Sequence, residues 1–61
     1  MTKYTIIIGE KGNSIGHVTL SEHYSDNAAI QAARKACRRT YKQDGWWIVR
    51  CGSFEWKSKK A

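Results

Sequence analysis

Residues 6–18 read IIIGEKGNSIGHV, and the fold turns on whether this is two strands joined by a turn or a loop set between helices. Tyr4, Ile6 and Ile8 alternate with Thr5 and Ile7. Three consecutive isoleucines favour a pleated surface over a helix, so Lys3 to Gly9 reads as a strand. A second strand is expected from Ile15 to Leu20, with Val18 and Leu20 sharing a face with Gly16 and with His17 and Thr19 opposite. Between them, GEKGNS carries two glycines and an asparagine, residues that tolerate the positive φ of tight turns. The expectation is a β-hairpin.

The string Ile8-Gly9-Glu10-Lys11-Gly12-Asn13-Ser14-Ile15-Gly16-His17-Val18 also resembles the I-G-x-x-G-x-x-I-x-x-hydrophobic signature of the KH nucleic-acid-binding family. That resemblance implies a loop that grips a nucleic-acid backbone between two helices. The flanking segments are β-branched on one side and HVTL on the other, neither of helical character, so the hairpin reading takes precedence.

From Ser25 the pattern changes. Ser25 or Asp26 caps a run, SDNAAIQAARKACRRTYKQDG, rich in alanine and long side chains, which stops at Asp44-Gly45. At 3.6 residues per turn, Ala29, Ile30, Ala33, Ala36, Cys37, Thr40 and Tyr41 fall within an arc of about 140°. Arg34, Lys35, Arg38, Arg39 and Lys42 fill another arc of about 140°. One stripe packs, and the other is entirely cationic.

After Gly45 comes WWIVRCGSFEWKSKK. A two-residue type II′ turn at Gly52-Ser53 would set Cys51 opposite Phe54, Arg50 opposite Glu55 and Val49 opposite Trp56, with apolar residues on one face and paired charges on the other. The rival is one long strand with a bulge at Gly52. The expected fold is α+β: a two-layer ββαββ sandwich, one helix packed on a four-stranded antiparallel sheet. Residues 1–61 form a single small domain with a basic tail, frayed from about residue 58.

Composition narrows the function. A chain of 61 residues buries only roughly 60% of its unfolded surface, which leaves a thin core. No apolar run approaches the about 20 residues of a membrane span, and the start lacks the order of a signal peptide, so a cytoplasmic location is expected. Cys37 and Cys51 are too few for a disulfide framework, and with His17 and His23 they match no familiar metal-ligand spacing. No metal or cofactor is expected. The carboxylates are scattered, no phosphate-binding G-x-x-x-x-G-K-[ST] is present, and Cys37 lies on the inner helix stripe, so catalysis is not expected either.

Charge supplies the direction. The net charge is +6, and residues 1–30 carry two cations against three anions while residues 31–61 carry nine against two. The cationic stripe has no acidic residue between Asp26 and Asp44 to form i, i+4 pairs. If Trp47 faces the core, Trp46 faces the other way, and the open sheet face would show Trp46, Ile48, Ile7 and His17 fringed by Lys3, Arg50 and Lys57. Aromatics among cations suit unpaired bases. The expected function is therefore nucleic-acid binding (DNA or RNA) through the helix face and an aromatic, basic sheet face, using Arg34, Lys35, Arg38, Arg39, Lys42, Trp46, Arg50 and Lys57. The alternative is a small inhibitor or modulator, of the kind made by phages and mobile elements, that docks on an acidic surface of a larger host protein. A homodimer through the open sheet face is a further expectation.

Overall fold

The computed structural model describes residues 1–58. Its elements are β1 (Thr2–Glu10), β2 (His17–His23), α1 (Asp26–Tyr41), β3 (Gly45–Cys51) and β4 (Phe54–Lys57). All strand neighbours are antiparallel, and the sheet order is β2-β1-β3-β4. This is the expected ββαββ sandwich, with β1 and β3 central. The expected fraying of the tail concerns residues 59–61, which lie outside the described residues; Ser58 itself continues the ladder, its N–H donating to the Trp47 carbonyl at 3.0 Å.

The second hairpin has the register its turn chemistry implies: Cys51 opposite Phe54, Arg50 opposite Glu55, Val49 opposite Trp56. Gly52 takes φ +61° while Ser53 keeps a negative φ, the combination of a type II′ turn. In the first hairpin, β2 begins at His17 and not at Ile15, because the chain from Lys11 to Gly16 folds back as a loop. That loop is tied to the turn between α1 and β3 by a hydrogen bond from the Lys11 N–H to the Asp44 carbonyl.

The helix starts where a side chain can satisfy its free N–H groups: the Ser25 hydroxyl accepts from the Ala28 N–H at 3.2 Å. Ala29, Ala33 and Cys37 are buried against Tyr4, Ile6, Ile8 and Val49. Alanine at these positions lets the helix backbone approach the sheet closely. Val49, with no exposed surface, is the centre of the core.

At the N-terminal end of α1 the Tyr4 hydroxyl donates to the Asp26 carboxylate at 2.6 Å. That hydrogen bond, and then burial, pushes the phenol's pKa up to about 12 from its ordinary 10.0. A group whose folded pKa is raised contributes stability that is complete below its unfolded pKa and lost as the pH rises through the folded value. Urea midpoints should therefore fall between about pH 10 and pH 12, and Tyr4→Phe should remove that component of the decline. Parallel curves for wild type and Tyr4→Phe would contradict the assignment.

The face of the sheet away from α1 holds the principal departure from expectation. Ile8 pairs with His17 and Ile6 with Thr19, so His17 and Thr19 lie on the helix side, and Val18 and Leu20 lie on the open face beside Ile7 and Thr5. The expected placement of His17 on the open face is thus reversed. Trp46, opposite Gly9, does lie on that face, but it is only 9% exposed. Its indole N–H donates to the carbonyls of Glu10 and Asn13, each at 3.0 Å. Its ring lies over Gly9 and reaches Gly16. The loop and two glycines make a seat for this one ring, a small second core on the far side of the sheet.

Candidate functional site

Arg34 and Arg38 on α1 and Lys42 just past its end follow one another at intervals of four, as do Lys35 and Arg39, and all five are exposed. Among the described residues none of the five has an acidic partner: the ion pairs are Arg50 with Glu55 and Lys57 with Glu55. Like charges four apart destabilise a helix slightly. Arg38 and Arg39 are in the last turn, where the helix dipole favours cations, but the dipole's influence fades beyond that turn and does not account for Arg34 or Lys35.

These cations border a space. A groove of about 560 Å3 lies between α1 and β3, lined by Gln31, Arg34, Lys35, Arg38, Lys42 and Trp47. Trp47 is on the helix side of β3, opposite Ile8, and half-buried. On the same face Val49 is the next residue of β3, with Trp56 opposite it on β4, and Phe54 lies further along, opposite Cys51. The rings of Phe54 and Trp56 stack with centroids 6.2 Å apart and planes at 21°. The helix therefore supplies one cationic wall and β3 supplies one aromatic residue, Trp47, while Trp56 and Phe54 lie on the same face of the sheet outside the groove.

Lys42 is held at this wall at a conformational cost. It has φ 58° and ψ −120°, and it is the one non-glycine residue with positive φ among the described residues. The Asp44 N–H donates to the Tyr41 carbonyl at 3.1 Å, closing a turn in which Lys42 occupies the position that favours glycine. Strained residues of this kind persist where the surrounding structure holds them, and they are enriched at functional sites. Lys42→Gly should stabilise the fold by about 1 kcal/mol while weakening any anion held in the groove. Thermal denaturation and binding, measured on the same variant, should move in opposite directions.

The other expected site residues are dispersed. Arg39 is not a groove residue: seven positions after Ala32, it lies within about 20° of that alanine around the helix, and Ala32 faces a smaller cleft toward β2, shared with Thr19 and Ser21. Arg50 and Lys57 are on the open face with Glu55, on the opposite side of the sheet from α1. The Arg50 hydrogen bond holds the Glu55 carboxyl below its usual range. Trp46 is enclosed, so the expected stacking role for it is replaced by a structural one. The aromatic residue that accompanies the helix cations is Trp47. Gly9 and Gly16 are the residues whose missing side chains leave room for the Trp46 ring.

Cys37 and Cys51 are free thiols. Burial pushes the Cys37 thiol up from its ordinary pKa, and its hydrogen bond goes to the Trp46 carbonyl at 3.4 Å, so it is a poor nucleophile. Among the described residues no three His, Cys, Asp or Glu side chains converge on a point that could hold a metal ion, and no helix is long and apolar enough to cross a membrane. No family model matches the chain, and no curated protein or solved structure is significantly similar to it.

Proposed function

We propose that this protein binds single-stranded nucleic acid in the groove between α1 and the β3–β4 hairpin. Arg34, Lys35, Arg38 and Lys42 take the phosphates, and Trp47 offers its ring to a base; the stacked Phe54 and Trp56, on the same face of the sheet outside the groove, are available to a longer strand. The observation that carries this reading is the conjunction of unpaired cations and an accessible indole around one groove. A duplex keeps its bases stacked and would leave the Trp47 ring unused, whereas unpaired bases stack on any aromatic face.

Trp47 is the direct probe. Labelled oligothymidylate titrated at low salt should bind the wild type, and Trp47→Leu, which keeps apolar volume at the core's edge, should weaken binding by the about 1 to 3 kcal/mol of a lost base stack, roughly 5- to 160-fold. The salt dependence should be unchanged, because no charge is removed. Trp47→Phe should retain most of the affinity. Equal binding by the wild type and Trp47→Leu would contradict a stacking role.

A further inference from the structure

We infer that the protein forms a two-fold dimer in which the β2 strands of two copies pair antiparallel, extending the sheet to eight strands. The two edges of the sheet are differently made. β4 has four residues and carries Lys57, the short, charged form in which proteins guard an edge. β2 has seven residues, HVTLSEH, with no lysine, arginine or proline. Its one carboxylate, Glu22, lies near its end, so the stretch from His17 to Ser21 carries no acidic, lysine, arginine or proline guard against pairing.

The residues on β2 suit a second copy of the same strand. With Thr19 opposite the other copy's Thr19, Val18 meets Leu20 and Leu20 meets Val18, so apolar residues face apolar residues on the open face. Both are well exposed in the single chain, Val18 at 57% and Leu20 at 63%. A two-fold axis normal to the sheet makes such a contact self-complementary. It also keeps both helices on one side, and α1 sits mainly over β1 and β3, so it does not overhang the edge. The helix residues that share a cleft with β2 are Ala32 and Ala36, which are small, and Arg39 is the one cation on that side of the helix.

Charge favours this edge over the other. Residues 1–30, which contain β1 and β2, have a net charge of −1, and the whole excess of cations belongs to residues 31–61. Two copies of a chain with net charge +6 meet with least repulsion through β2. The two α1–β3 grooves then lie on the outer flanks, both open, so the dimer does not depend on what the grooves bind.

Sedimentation equilibrium at moderate salt provides the test. The wild type should sediment at twice the chain mass. Leu20→Lys and Thr19→Lys are both exposed replacements on an edge strand and should leave the circular dichroism spectrum unchanged; each should sediment at the mass of one chain, because each places like charges about the two-fold axis. A wild type at the mass of one chain would overturn the proposal. So would a dimeric Thr19→Lys beside a monomeric Leu20→Lys, the result expected if two open faces stacked instead of two edges pairing. Dimers in both variants would place the contact elsewhere and overturn it equally.

Discussion

Gly16→Ala will destabilise the fold by about 1–3 kcal/mol, the usual range for an added methyl in a packed site, and Gly9→Ala will do so by at least as much. A Cβ at residue 16 would sit 2.6 Å from the Trp46 ring, 2.7 Å from the Ile7 side chain and 2.8 Å from the Ile8 carbonyl oxygen. A Cβ at residue 9 would fall among the ring atoms of Trp46 itself. The indole cannot slide aside freely, because its N–H is fixed by the carbonyls of Glu10 and Asn13. At roughly 0.05 to 0.15 kcal/mol per residue, a domain of this size holds only a few kcal/mol in all, so either substitution removes a large share. Urea midpoints should drop with little change in the slope of the transition. Combining Gly9→Ala with Trp46→Val should cost less than the sum of the two, since the second change removes the clash created by the first. Alanine variants within about 0.5 kcal/mol of the wild type would mean that the ring does not rest on these glycines.

The second large effect is on binding. Arg34→Gln, Arg38→Gln and Lys42→Gln together remove three cations from the groove wall without altering a buried side chain. Each phosphate contact on a single strand contributes about 0.7 to the slope of log affinity against log salt. The triple variant should therefore lose up to about 2 from that slope and on the order of several hundredfold in affinity at 50 mM salt. Binding to every sequence should weaken alike, because phosphates carry no sequence information. Exposed substitutions usually change stability by less than about 0.5 kcal/mol, and relief of like-charge repulsion along the helix works in the same direction as stability. A triple variant that binds as the wild type does would separate the helix from the interface.

Much of this architecture was legible in the residues. The helix was marked at its start by Ser25 and along its length by the separation of Ala29, Ala33 and Cys37 from Arg34, Arg38 and Lys42. The second hairpin was fixed by Gly52-Ser53 and checked by the pairing of Arg50 with Glu55. The faces of the first hairpin were harder to read for a physical reason: β1 carries isoleucine at three successive positions, so a period of two leaves both of its faces apolar, and the parity of β2 is then set by the path of the loop. That is why His17 lies on the helix side and not on the open face. The exposed cationic stripe was legible on the helix, whereas the sequence pointed to the wrong tryptophan as the exposed one. Alternation along a strand shows that Trp46 and Trp47 point opposite ways, but which of them meets solvent depends on what covers each ring, and the Glu10–Gly16 loop covers Trp46. Strand order rests on contacts between segments distant in sequence and had no local signature.

The groove as a site for single strands is tested most directly by one titration: the affinity of the wild type for an unstructured oligonucleotide and for a duplex of equal length, followed from low to moderate salt. The expected result is a linear fall of log affinity with log salt for the single strand, with a slope of about −2 to −3 for three to four phosphate contacts, and weaker binding to the duplex at each salt concentration. No detectable binding to either at low salt, or a preference for the duplex, would contradict it.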